Sequence, residues 1–365
     1  MSYRIAQVDP LLDGDELESV LDTIRRNWLT EGPCAAEFLE AIKRDTGSKH
    51  AVLAPNGTLG LFLSLLALDL PQGSEILIPS FTFYASASAA VFAGLTPIFV
   101  DADPDTFNLD VESLDSLVTS NTRAIMPVHV YGHAAPMDQI MDFAQRHGLL
   151  VLEDAAQGYG VFYRDRHVGI WGDVSMISFF ADKTVTTGEG AVVLTQRDDL
   201  YEKLRLLRNQ GRPHSGTFIH PSLGMNFRMT DLQCAIGVAQ LRKLAIIVER
   251  KLNNYDRYQT NLTGLPGLRF MRVQNGSTFV PFRFLLLTEH RDALVAALEQ
   301  AGVQTRSVFY PLHRQPAFTK YARSSLPVSD GLYEQGICLP IHCGLTPADI
   351  DDVSATIRRT LSEVC

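Results

Sequence analysis

Cysteine and tryptophan are scarce in this chain: five cysteines and two tryptophans among 365 residues. Cys34, Cys234, Cys338, Cys343 and Cys365 are odd in number and scattered, and no pair has CxxC spacing. That pattern argues against a disulfide framework and a zinc site, and predicts reduced thiols, a cytoplasmic location and no metal. Long apolar runs are missing as well. The stretch 59–70 comes nearest, but it is short and contains Ser64 and Asp69, so no membrane association is expected. Met1-Ser2-Tyr3-Arg4-Ile5 lacks the basic-then-apolar order of a signal peptide. Positive charge is in deficit, with 32 Lys and Arg against 41 Asp and Glu and a formal net charge of −9. Nucleic acid is therefore not an expected partner, because phosphate neutralisation needs a basic surface. A local basic pocket for a small anion remains compatible with that balance.

Alternating elements are what the sequence does have. Its apolar fraction of 46% and charged fraction of 20% are ordinary for a globular enzyme. Short apolar strands are predicted at 51–54, 75–78, 97–100, 124–130, 149–152, 174–179 and 191–195. Helical patterns fall between them at 59–68, 85–92 and 136–147. Strands that read as continuous apolar runs between helices imply an α/β fold with a mixed, mostly parallel sheet covered on both faces. Ligands of such sheets bind at the carboxyl ends of the strands. Helices are expected at 13–27, 35–44 and 198–209, and one long helix at 230–262. After Pro266, strands at 268–273 and 279–287 and helices at 291–301 and 347–361 predict a smaller α+β domain. The expected division is 1–245 and 246–365.

The candidate functional residues cluster after the predicted strands. Lys183 lies in an apolar, hydroxyl-rich stretch, 178–190. A lysine after a strand is ordinarily a solvated surface group, but a desolvated one has a lowered pKa and attacks aldehydes. Asp154 ends the run Leu149-Leu150-Val151-Leu152. It reads as a helix cap or as a carboxylate that keeps a pyridine nitrogen protonated. Gln157 is a surface amide on the bland reading and a partner for a ring oxygen on the other. Asn56-Gly57-Thr58 opens a helix. That is a simple turn with a Thr cap, or a cup for a phosphate. Ser178 stands five residues before the lysine, where its hydroxyl reaches the same phosphate. Phe83 is core or a stacking face for the ring. Asn226 and Arg228 are helix-start polar residues, or Arg228 clamps a carboxylate. Tyr310 and His313 are structural, or contact a sugar or phosphate. No P-loop or dinucleotide fingerprint accompanies the glycines.

In their order along the chain these segments resemble a known group. NGTLGL, PSFTFYAS, PVHVYGH, EDAAQ, SFFADKTVTTGEG, GMNFRMTDLQCAIGVAQL and YPLHRQPAF are similar to the nucleotide-sugar aminotransferase family of fold type I pyridoxal phosphate (PLP) enzymes. The resemblance covers about residues 28–350. It implies transfer of an amino group from glutamate to a keto group on a nucleotide-linked sugar, through PLP and its pyridoxamine phosphate form. It implies Lys183 as the Schiff-base lysine, Asp154 at the pyridine nitrogen, Gln157 near the ring oxygen, and Phe83 on the ring. It also implies Gly57, Thr58 and Ser178 at the phosphate. Asn226 matches an asparagine that reaches the neighbouring subunit's cofactor, which implies a homodimer with shared sites. Within the family, the TTGEG context resembles enzymes acting at C4 of 4-keto-6-deoxy sugars. The chain departs in having Ala181-Asp182 where Gly-Asn is usual and Ala191 where glycine is usual. Two other readings remain: a sugar 3-dehydratase, whose histidine replaces the lysine, and a regulatory protein on the same fold. Lys183 argues against the first, and the intact set of Lys183, Asp154 and Ser178 against the second.

Overall fold

The computed structural model describes residues 3–214 and 216–364. Helices α1 (Asp15–Arg25) and α2 (Pro33–Thr46) come first. Then follow β1 (His50–Ala54), α3 (Gly57–Leu68), β2 (Glu75–Pro79), α4 (Tyr84–Phe92), β3 (Thr96–Val100), β4 (Thr122–Ile125), α5 (Met137–His147) and β5 (Leu150–Asp154). A small hairpin, β6 (Phe162–Tyr163) and β7 (Arg166–His167), precedes β8 (Val174–Ser178) and β9 (Ala191–Thr195). Seven of these strands form one sheet in the order β1-β9-β8-β5-β4-β2-β3. Only β9 runs against the others.

Both faces of the sheet are covered, as its apolar strands require. On one face, Phe38 and Ile42 of α2 and Ile140 and Phe143 of α5 bury Leu53, Leu77, Val151, Ile177 and Val192. On the other, Leu61 and Leu65 of α3 and Ala87 of α4 bury Ala54, Ile78, Leu152, Met176 and Val193, joined there by α6 (Asp198–Arg208).

The expected helix over 230–262 is two helices, α7 (Asp231–Arg242) and α8 (Leu244–Leu262). The break falls at Lys243, whose φ of −102° and ψ of 2° are not helical. Its amine is held by Asp13, Glu16 and the carbonyl of Leu11. Asp231 at the start of α7 reaches back to the start of α2, where its carboxylate accepts the amides of Gly32, Cys34 and Ala35.

The C-terminal part holds β10 (Arg269–Phe270), β11 (Phe284–Leu287), α9 (Arg291–Gln300), β12 (Arg306–Ser307), α10 (Pro327–Gln335), β13 (Gly336–Leu339) and α11 (Pro347–Val364). Its antiparallel sheet has the order β10-β11-β13-β12. Tyr258, Leu294, Ile350 and Ile357 pack on one face, together with Ile5, which pairs with Val303. The opposite face, through Leu285, Leu287 and Cys338, packs on Phe81, Phe107 and Tyr131 of the larger sheet's loops. The strand expected at 279–287 starts only at Phe284, and the residues before it drop into the cavity described next. Cys34, Cys234, Cys338 and Cys343 are free and buried, and Cys365 lies outside the described residues. No helix among the described residues is long and apolar enough to cross a membrane.

Candidate active site

A cavity of about 630 Å³ opens at the carboxyl ends of β1, β5 and β8, between the large sheet and the segment leading into β11. Lys183 projects into it from the loop that joins β8 to β9. That loop is stapled at its base. Phe179 donates its amide to Gly190 O at 2.8 Å, and Thr187 N donates to Phe179 O at 2.9 Å. Thr187 Oγ1 donates to Glu189 O, and Thr186 Oγ1 accepts the amide of Gly188. Gly188 has φ of 78°, and a Cβ on Gly190 would lie 2.3 Å from Thr187 Oγ1. The Thr-Thr-Gly-Glu-Gly run thus builds the turn that presents the lysine.

The Lys183 side chain is 15% exposed. Its amine lies 4.2 Å from the centre of the Phe282 ring and 3.9 Å from Asp182 Oδ1. Burial pulls its pKa down to about 8, Asp182 and Asp154 oppose that shift, and Arg283 adds to it. Asp182 Oδ2 is bonded to Arg283 Nη2 at 2.5 Å, and Arg306 Nη1 lies 3.5 Å away. Phe282 and Arg283, in the segment leading into β11, and Arg306 of β12 line the cavity. No local signal in the sequence marked them.

Asp154 lies in the same cavity, fully enclosed at the end of β5. One carboxylate oxygen accepts Ser86 Oγ at 2.7 Å and the other accepts the amide of Ala156 at 3.1 Å. Burial raises its pKa against those bonds and against Lys183. Ser86, on α4, escaped the sequence reading because it sits in an Ala-Ser run that looks like helix filler. Gln157 Oε1 accepts the amide of Tyr131 at 2.7 Å. A backbone amide can only donate, so the Gln157 amide group is oriented with its NH₂ as the remaining donor. Tyr131 holds the left-handed φ of 54° that aims its amide there.

At another wall of the cavity, α3 begins. Its cap is Asn56, whose side chain accepts Leu59 N at 3.0 Å. The Thr cap weighed above is therefore replaced by an Asn cap, and the Thr58 hydroxyl is not consumed by capping. The amides of Gly57 and Thr58 are first-turn donors without backbone partners. Ser178 Oγ accepts Phe180 N at 3.3 Å, which leaves its proton to donate. A Cβ on Gly57 would come within 3.2 Å of Ser178 Cβ and 3.3 Å of its Oγ. Any side chain at 57 would crowd this cradle. Phe83, 59% exposed, stands at the start of α4 on the cavity wall.

Four expected site residues are not brought to this cavity. Asn226 is exposed and bonds the amide of Arg228, and Arg228 donates to Asn209 Oδ1 at 3.0 Å. Tyr310 packs edge-on against Tyr333. His313 is buried with Nδ1 2.8 Å from Ser80 Oγ and Nε2 3.4 Å from Asp330, so both ring nitrogens are engaged elsewhere.

Over residues 10–358 the chain matches the DegT/DnrJ/EryC1/StrS aminotransferase family. The chain belongs to that family. It is 39% identical to GDP-perosamine synthase of Caulobacter vibrioides over 98% of both chains. It is 36% identical to a UDP-N-acetyl-3-dehydro-alpha-D-glucosamine 3-aminotransferase of Acidithiobacillus ferrooxidans, over 87% of this chain and 85% of that one. Among solved structures, S. venezuelae DesV in complex with a ketimine intermediate matches with a TM-score of 0.92 at 32% identity, covering 96% of this chain and 95% of that one. Like its relatives, this DegT/DnrJ/EryC1/StrS aminotransferase is a PLP-dependent sugar aminotransferase with the fold type I architecture. The cavity of this family member fits that cofactor chemically. An amine, a buried carboxylate and a crowded glycine-serine cradle with free N–H and O–H donors face one space.

Proposed function

We propose that the enzyme transfers the amino group of glutamate to the 4-keto group of a nucleotide-linked 4-keto-6-deoxy sugar. Lys183 carries this reading: its amine has a pKa near 8 and shares a cavity with the buried Asp154. A fraction of that amine is unprotonated at neutral pH, so Nζ is able to attack a carbonyl and then to accept and return a proton. Asp154, oriented by Ser86 and the Ala156 amide, would hold the ring nitrogen of PLP. Gln157 would donate to the ring oxygen, and Phe83 would cover the ring. The Gly57 and Thr58 amides and the Thr58 and Ser178 hydroxyls would hold the phosphate. When bound, PLP supplies the electron sink that amino transfer needs.

The choice of C4 rests on the TTGEG context of Lys183, and the likeness to a GDP-perosamine synthase supports a GDP-linked sugar. A 3-keto sugar is the second reading, favoured by the similarity to the Acidithiobacillus 3-aminotransferase. Purified enzyme is to be offered glutamate with GDP-, UDP- and dTDP-linked 4-keto-6-deoxy sugars and a UDP-linked 3-keto sugar, with products read by mass. The GDP-linked 4-keto sugar is expected to be aminated. Amination of the 3-keto sugar alone would sink the C4 assignment. Lys183→Ala is expected to lose turnover and the cofactor's lysine-dependent absorption band.

A homodimer in the cytoplasm completes the proposal. Phe218 and Leu223 are each 92% exposed in the segment just before Asn226. Side chains of that size, clustered in one loop, are suited to burial against a second copy. Asn226 and Arg228 would then serve the neighbour's cavity. Sedimentation of a Phe218→Asp, Leu223→Asp double variant is expected to show monomers. An unchanged dimer would reject this surface.

A further inference from the structure

A second, smaller chamber of about 30 Å³ adjoins the active cavity and shares Lys183, Asp182 and Arg283 with it. Its other walls come from residues 7–11, from α8 and from residues 341–343. Lys251 of α8 enters this chamber. It is only 6% exposed, and its amine has no ion pair or hydrogen bond among the described residues. Several other buried polar atoms on the walls also lack partners: Asp182 Oδ1, Gln7 Oε1, and both ring nitrogens of His342.

Two features decide what belongs there. A water requires about 10–15 Å³ and two to four polar partners, so the space suits one or two waters. The orphaned Asp182 and Gln7 oxygens are acceptors, which a water satisfies and a halide would oppose. The charges are also unbalanced. Lys183, Lys251 and Arg283 converge on Asp182, and the other buried carboxylate, Asp154, faces Lys183 alone. Protonating both lysines concentrates positive charge where solvent screens it only weakly.

We propose that ordered water in this chamber links Lys251 Nζ to Asp182 Oδ1, and that Lys251 is thereby a positioning residue that keeps the Lys183 amine free of its proton. The proposal rests on Lys183 being the cofactor lysine. The surrounding charges are consistent with it. Burial, with Arg283 and Lys183 acting in the same sense and Asp182 opposing, brings Lys251 down to about 8. Burial raises Cys343, which keeps it a neutral thiol. His342, lowered by burial, and Asp9 complete the ionisable groups on the chamber walls. On the Lys183 side the facing groups are Asp182, Arg283 and Asp154.

The test has two arms. A high-resolution crystal structure of the wild-type enzyme is expected to show water within hydrogen-bond distance of both Lys251 Nζ and Asp182 Oδ1. A dry chamber would overturn the proposal, whatever the variants do. In the second arm, Lys183 of the cofactor-free protein is labelled competitively with acetic anhydride across pH and read by peptide mass. Lys251→Met is expected to raise the labelling midpoint by about one pH unit, because a nearby cation is gone. Lys251→Arg is expected to restore it, and Lys251→Gln replaces the Met variant if that one does not fold. The kcat pH profile should move the same way with KM for the sugar unchanged. An unmoved midpoint rejects the role of Lys251. The separate assumption about Lys183 fails only if Lys183→Ala keeps the cofactor's absorption band, so the two failures are distinguishable.

Discussion

Ser86 helps to orient the buried Asp154 carboxylate through its hydroxyl. Its 2.7 Å bond fixes one oxygen of Asp154, and Thr82 Oγ1 lies 3.3 Å from Ser86 on its other side. Ser86→Ala should leave the fold intact and loosen Asp154. A buried hydrogen bond to a charged group is worth about 1.5–3 kcal/mol, so cofactor affinity is expected to fall roughly ten-fold or more, measured by absorbance titration. Lys183, Asp154, Gly57 and Ser178 were legible in the sequence because each directly follows a strand or sits in a short run. Ser86, Arg283 and Lys251 were not. Each acts on a residue far away in the chain (101 positions separate Arg283 from Asp182), and no local pattern encodes such a pairing.

At the scale of elements, β5 explains why the acidic pair splits its duties. Successive strand residues point to opposite faces. Asp154 therefore enters the cavity while Glu153 turns into the core. Glu153 accepts the amides of Gly169, Trp171 and Gly172 and lies 3.0 Å from His129 Nε2, so it pins the whole segment before β8. Burial raises its pKa, but His129 and those amides outweigh burial and hold it below the usual range. Glu153→Ala should leave one buried and two half-buried amide donors without their acceptor and cost about 1–3 kcal/mol, read as a lower urea midpoint. An unchanged midpoint would show that water replaces the carboxylate. The seven strands of the large sheet were legible as apolar runs, although the run at 124–130 forms a strand only over Thr122–Ile125, and the short strands β6, β7, β12 and β13 were not anticipated. The break at Lys243 was missed because Leu241 and Leu244 continue the apolar pattern straight through it. Only the distant Asp13 and Glu16 reveal its cause. The start of β11 was overextended for a similar reason: residues 279–282 are apolar because they line a cavity and a core, not because they pair in the sheet.

Across the whole molecule, buried neutral histidines tie distant segments together and set the acid limit. His133 accepts the amide of Gln274 at Nδ1, while Nε2 lies 3.0 Å from Thr106 O, an arrangement only the neutral ring satisfies. Burial lowers His133 to about 3 and His167 to about 4. Between those values and the unfolded value of 6.5 the unfolded chain binds more protons. Stability is therefore complete above about pH 6.5 and falls as pH drops, by about 1.4 kcal/mol per pH unit for each histidine. Thermal melting from pH 7 to 5 should show this decline, and His133→Gln should flatten it while lowering stability at pH 7. The N-terminal strap carries a different consequence, one of timing. Ile5 pairs with Val303, Gln7 N donates to Gln304, and Gln7 Nε2 donates to Leu339 O. The wall behind Lys183 is thus built from both ends of the sequence. During synthesis the large sheet has all its strands long before residue 339 leaves the ribosome, so residues 5–7 must wait for partners about 300 positions later before they find their place.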